Sequence, residues 1–177
     1  MVSKKFSEKF ELPQGMQASI EGGFIKITGP KGELKRKIPS RELAVKIEGN
    51  AIFFEMLSAK RVSYACLRSF EKHIGNMAKG LGKEFEYHLR VVYSHFPINI
   101  AVKGNNVEIN NFLGEKLPRI ARILPGAKVE AKGKEVFVRG PDKDAVGQTA
   151  ANIEAQSVVS NKDRRVFQDG IFLVEKN

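Results

Sequence analysis

The sequence predicts an α+β protein built as two tandem, duplicated domains, each a mainly antiparallel β-sheet packed with one α-helix. Three observations predict it. Residues 16–34 recur as residues 98–116 without a gap: Gly22 and Gly104, Ile27 and Ile109, Gly32 and Gly114, and Glu33 and Glu115 each stand 82 positions apart. Lys46-Ile-Glu matches Lys128-Val-Glu in the same register, and Ile52-Phe-Phe matches Val136-Phe-Val after a two-residue insertion. Such fixed-period similarity marks a duplicated unit. Within each copy, paired turn residues separate short alternating apolar runs, and one helix-periodic segment follows them.

The elements follow in order. Ala18-Ser-Ile-Glu and Phe24-Ile-Lys-Ile flank Gly22-Gly23, a pair that tolerates the positive φ of a tight hairpin turn. Gly49-Asn50 joins Val45-Lys-Ile to Ile52-Phe-Phe in the same way. The first helix is expected to be capped by Ser58, with Val62, Cys66, Phe70, His73 and Met77 as its apolar stripe. Lys79 and Gly80 read as its end, and Leu81-Gly82 as a hinge. The predicted domains are therefore residues 1–80 and 83–177. In the second, Phe85 to Val92 opens as a strand and Gly104-Asn105 turns a hairpin. Asp142 caps a helix whose buried face is Val146, Ala150, Ile153 and Ser157.

Charge narrows the function. Thirty Lys and Arg stand against twenty Asp and Glu, a net +10 that favours polyanionic partners, nucleic acid before membrane. Residues 1–80 carry 15 cations and 8 acids, and residues 81–177 carry 15 and 12, so the first half is the more basic. Its cluster of Lys31 with Lys35, Arg36 and Lys37 suits either an RNA contact or a strand edge protected by lysines. Cys66 is the sole cysteine, which excludes an intrachain disulfide and a thiolate metal cage. Met1-Val-Ser-Lys-Lys-Phe lacks the apolar core of a signal peptide, and no run approaches the roughly 20 apolar residues that span a bilayer. A soluble cytoplasmic protein is expected.

Enzyme signatures are missing. Gly29-Pro-Lys-Gly lacks the spacing of a phosphate-binding loop, and Gly80-Leu-Gly follows a helix rather than a strand. His73 and Cys66 fall on the apolar stripe of a helix, while His88 and His95 have no carboxylate or cysteine at ligand spacing. The reading is of a protein without catalytic residues, metal, cofactor or small-molecule substrate.

The two helices differ on their outer faces. The first shows Lys60, Tyr64, Arg68, Glu71, Lys72 and Lys79, a wet face of mixed charge. The second shows Gln148, Ala151, Asn152 and Ala155, with Gly147 at its side. Interior glycine costs about 1 kcal/mol relative to alanine, so it has a packing reason. Small and amide side chains suit close approach by RNA, whose phosphate, sugar or base Gln and Asn can bond, or by the protein's own elements. After this helix comes the dense patch Lys162-Asp-Arg-Arg, directly ahead of what reads as the last strand.

The run from Val138 to Ile153, the KDRRVFQDGIFL stretch beginning at Lys162, and Ile74-Gly-Asn-Met-Ala-Lys-Gly are similar to the archaeal and eukaryotic branch of the large-subunit ribosomal protein six family. The resemblance covers essentially the whole chain. It implies two similar α+β domains bound to large-subunit ribosomal RNA, with the second as the main anchor, close to the sarcin–ricin loop and the translation-factor site. Carried onto this chain, the anchor comprises Lys143, Gln148 and Asn152 from the helix, then Lys162, Arg164, Arg165 and Gln168, with Lys116 and Arg119. The stretch Val158-Val-Ser-Asn is less basic than that family's pattern. Asp163 and Asp169 are expected to orient the arginines or the turn. Neighbouring ribosomal proteins and nearby translation factors are the implied partners, with no membrane. A basic adaptor for acidic proteins is the alternative.

Overall fold

A computed structural model describes residues 6–39, 42–56, 60–163 and 165–177. The chain divides into two compact units, residues 1–83 and 84–177. The first contains β1 (Phe6–Glu11), β2 (Gln17–Glu21), β3 (Phe24–Gly29), β4 (Gly32–Lys37), β5 (Leu43–Glu48), β6 (Ala51–Met56) and α1 (Arg61–Gly82). The second contains β7 (Phe85–Val92), β8 (Asn99–Lys103), β9 (Asn106–Asn110), β10 (Arg119–Arg122), β11 (Lys128–Lys132), β12 (Glu135–Gly140), α2 (Lys143–Gln156) and β13 (Gly170–Lys176).

The duplication is visible in the sheets. The first unit has antiparallel sheets in the orders β1-β6-β5 and β2-β3-β4; the second has β10-β9-β8 and β11-β12-β7-β13. Element for element, β7-β12-β11 repeats β1-β6-β5, and β8-β9-β10 repeats β2-β3-β4. All three expected hairpins form at the expected glycines, with Gly22, Gly23, Gly49 and Gly104 at positive φ. Strand side chains alternate as the two-residue period requires: Ile25 and Ile27, then Ile52, Phe54 and Met56, point into the first core. Tyr87, Leu89 and Val91 with Val136 and Val138 do so in the second.

The first helix departs from expectation at both ends. Ser58 lies outside the described residues; the N-cap position is Lys60, which makes no side-chain cap bond. Its buried face is Ser63, Leu67, Phe70, Ile74, Met77, Ala78 and Leu81, whereas Val62 is 79% exposed and Cys66 and His73 are half-buried. Leu67 and Ile74 bury more apolar surface than Cys66 and His73, so they win the core. The helix also runs through Gly80 to Gly82, and the Lys83 amide still donates to the Lys79 carbonyl at 2.8 Å. Leu81 explains this. It is fully buried against Gly29, where an added Cβ would come within 2.9 Å of the Leu81 Cβ. Burying a leucine contributes about 1.5–3 kcal/mol. That offsets the roughly 1 kcal/mol each helical glycine costs.

The second helix follows expectation. The Asp142 carboxylate accepts the Asp144 amide at 3.0 Å, and Ala145, Val146, Thr149, Ala150 and Ile153 are buried. The addition in the second unit is β13. It pairs antiparallel with β7, with a bulge between Leu173 and Glu175. Its other edge is closed by side chains that follow from α2: the Ile171 amide donates to Ser157 Oγ at 2.9 Å, and the Leu173 amide to Glu154 Oε1 at 2.8 Å. No helix among the described residues is long and apolar enough to cross a membrane.

Candidate nucleic-acid interface

The outer face of α2 holds most of the helical residues singled out by the sequence. Lys143, Gln148, Ala151 and Ala155 are exposed, and Asn152 is half-buried. Two of these are linked. Gln148 Nε2 donates to Asn152 Oδ1 at 3.0 Å, and Asn152 Nδ2 donates to the Arg122 carbonyl at 3.0 Å. Asn152 thereby ties the helix to β10 and holds the exposed Gln148, whose side-chain carbonyl oxygen remains an acceptor. Thr149, on the buried side, accepts the Leu124 amide at 3.1 Å and fixes the following loop to the same helix. Gly147 proves to flank the face. An added Cβ there would meet the Tyr87 ring at 3.6 Å, so the small residue belongs to helix–sheet packing.

The basic stretch is shaped by Asp163. Its carboxylate accepts the Arg165 amide at 2.9 Å, and its backbone carbonyl accepts the Val166 and Phe167 amides at 3.1 and 2.9 Å. Aspartate bonding a backbone amide two residues on is how such turns close. Asp163 therefore organises the turn. Arg165 and Gln168 are exposed, with Gln168 Nε2 donating to the Arg165 carbonyl at 3.4 Å. Lys162 Nζ lies 4.7 Å from the Phe167 ring centroid. Arg164 lies outside the described residues. Asp169, the other expected orienting acid, is buried and accepts the Ser94 amide at 2.9 Å, so it anchors the loop after β7.

Arg119 is committed to the fold. Its guanidinium makes two bonds to the Glu115 carboxylate at 2.8 and 2.6 Å and donates to the Gln156 and Val158 carbonyls at 2.9 and 3.0 Å. It also lies 4.2 Å over the Phe112 ring. It closes the C-terminal end of α2, where unpaired carbonyls favour a cation. The Arg119 hydrogen bond holds the Glu115 carboxyl below its ordinary value, and Lys162 adds a smaller lowering. Lys162 and the Glu115–Arg119 pair are thus neighbours, with exposed Lys116 adjacent in sequence.

The structure therefore brings Lys162, Arg119, Gln168 and the last turn of α2 together. Lys143 is at the far end of the helix, roughly 20 Å away for fourteen residues. Such a span suits separate phosphates rather than one clamp. Lys143 and Arg165 make no ion pair among the described residues. By contrast, Arg68 on α1 is neutralised by Glu8 and Glu71, and Lys26 and Lys35 both meet Glu33. Sequence reasoning missed the clamp role of Arg119. The four-residue spacing of Glu115 and Arg119 was its available signal.

The Ribosomal protein L6 family model matches residues 12–83 and again residues 96–170. The chain is 46% identical over 170 residues to the large ribosomal subunit protein uL6 of Aeropyrum pernix, covering 96% of this chain and 93% of that one. It is 43% identical to the protein of the same name from Saccharolobus solfataricus, over 96% of this chain and 94% of that one. The protein of that name from Methanothrix thermoacetophila is 44% identical over 95% and 96% of the two chains.

Proposed function

The chain belongs to the ribosomal protein L6 family, a structural and non-enzymatic constituent of the ribosome, and from that premise we propose that its second unit binds large-subunit ribosomal RNA. The contact is made by the outer face of α2 with the turn at residues 162–168. The observation that carries this reading is the pair Lys162 and Arg165, presented by a turn that Asp163 closes ahead of β13, beside the exposed small residues Ala151 and Ala155 of α2. A turn already closed by backbone hydrogen bonds presents its cations to phosphate without the backbone ordering cost of a loose loop. Lys143 contacts a second stretch of backbone, and Gln148, set by Asn152, contacts sugar or base. Arg119 and Asn152 position these groups.

Phosphate contacts carry no sequence information, so recognition rests on the RNA's folded shape. The family resemblance supports a location close to the sarcin–ricin loop, where translation factors dock and other ribosomal proteins adjoin. The test is filter binding of the full chain and its K162A/R165A variant to large-subunit RNA across a salt series. The slope of log K against log salt should shallow by about 1.5–2 units. An unchanged slope in a folded variant removes the turn from the interface.

A further inference from the structure

The loop between β7 and β8 carries two exposed rings on a backbone that is fixed at both ends. The Ser94 amide donates to buried Asp169 at 2.9 Å, and the Pro97 carbonyl accepts from Asn111 Nδ2 at 3.0 Å. Ile98 then enters the core. Between these bonds His95 is exposed, and Phe96 is 43% exposed. Between matched positions, Phe10 to Met16 in the first unit and Leu89 to Ile98 in the second, the connection is three residues longer in the second. The longer connection holds the two rings; the stretch Glu11 to Gly15 of the first unit has no aromatic residue. Ordering a loop costs backbone entropy, and a ring left in water returns nothing toward it. A fixed loop that displays a phenylalanine is pre-organised for a partner.

The neighbours of the rings say what that partner is. His95 leans on Phe167 of the basic turn, with ring centroids 5.9 Å apart, and Lys162 Nζ lies 4.7 Å from the same Phe167 centroid. Phe96 packs at Gly114, where an added Cβ would meet its ring at 3.4 Å, two residues before exposed Lys116. The rings thus lie between segments that carry Lys162 and Lys116. The acids of these segments are already engaged: Glu115 is bonded to Arg119, Asp163 closes its turn, and Asp169 holds Ser94. What remains outward is aromatic and cationic together. Single-stranded RNA has both complementary features, a base with a π face joined to a phosphate. An acidic protein segment matches the lysines alone.

We propose that the 94–97 loop is a stacking site of the RNA interface, with one unpaired base on Phe96, His95 beside it, and Lys116 and Lys162 at the flanking phosphates; this rests on the reading that the 162–168 turn faces RNA. Stacking accepts any base, because every base has a π face. The loop therefore adds affinity and fixes an extruded nucleotide without reading its identity. Asp169 is a positioning residue in this scheme. It touches no RNA and holds Ser94, and through it the loop, against the segment that follows the basic turn.

The chain contains no tryptophan, so Phe96→Trp places a single reporter in this loop. In the full chain this variant should bind large-subunit RNA as tightly as the parent. Its emission should be quenched on binding, as that of an indole stacked on a base is. Phe96→Leu keeps an apolar contact at Gly114 but removes the ring, and should bind roughly 5- to 100-fold more weakly at fixed salt. Its slope of log K against log salt should match the parent's, since no phosphate contact is lost. Unchanged emission in a complex that has formed overturns the proposal, and it decides the matter should the leucine variant fail to fold. A folded Phe96→Leu variant that binds like the parent overturns it too. So does a benzophenone analogue of phenylalanine at position 96 that crosslinks to protein rather than RNA in the intact subunit. The two readings fail separately. If K162A/R165A shallows the slope while Phe96→Leu binds normally, the interface stands and the loop is removed from it; if K162A/R165A leaves the slope unchanged, both fall.

Discussion

Arg119 shows how one side chain can do the work of a cap, an ion pair and a brace. Five donors in a planar fork serve Glu115 and two carbonyls at the end of α2 at once, which lysine could not do. The pair also sets a pH dependence. Glu115 has a folded-state pKa below its ordinary 4.5, so its contribution is fully present above that value and is lost as pH falls through the depressed one. Glu115→Gln should therefore lower Tm relative to the parent at neutral pH, and the difference should close on acidification below 4.5. Thermal melts of both proteins across pH would check this, and a gap independent of pH would mean the pairing contributes little. Arg119 stands among the expected RNA contacts through the family resemblance. Its partners, 37 and 39 residues away, are visible only in the fold.

At the scale of elements, the two helices occupy equivalent places in the repeat and face different tasks. α1 is 22 residues long and covers its outer face with Tyr64, Arg68 and Glu71, bonded to one another. α2 is 14 residues long, with small and amide side chains outside. Within α2, Gly147 leaves room for one carbon beside Tyr87 at ordinary contact distance. Gly147→Ala should therefore raise stability by about 0.5–1 kcal/mol, since helical glycine is the costlier residue. It should leave RNA affinity unchanged, because the proposed contact rides on Lys143, Gln148 and the 162–168 turn. Urea denaturation and filter binding measure the two effects. Destabilisation would show that the Tyr87 contact is tighter than the geometry indicates; a binding loss with unchanged stability would mean RNA reaches Gly147. The edge of β13 shows a further device. Ser157 and Glu154 occupy backbone donors that a free edge would offer to another chain.

For the whole molecule, each unit carries its own core: Ile27, Phe54, Leu67 and Ile74 are among those in the first, and Leu89, Ile109, Val138 and Ile153 in the second. Separate cores argue that residues 1–83 and 84–177 fold independently when expressed apart. The second fragment should bind large-subunit RNA more tightly than the first. That ordering runs against net charge, because the excess is greater in residues 1–80 than in residues 81–177. Filter binding of both fragments to one RNA decides it. Equal affinities, or a stronger first fragment, would show that bulk charge rather than the α2 face governs binding.

Taken alone, the sequence determined the duplication, the hairpin glycines, the Asp142 cap and the buried face of α2. Each is written in local chemistry: turn backbone needs positive φ, a cap needs a short acceptor, and a stripe needs a period. The family match was legible for the same reason, in contiguous runs. Tertiary structure decided the features that depend on distant neighbours. Leu81 carries α1 past two glycines because β3 offers it a buried place at Gly29. Asp169, expected to orient the arginines or the turn, becomes the anchor of Ser94, 75 residues away, and part of the wall of a cavity. The periodicity of a helix gives the width of its apolar stripe but not which of two adjoining stripes meets the sheet. For α1 that choice fell to Leu67 and Ile74, through the area they bury.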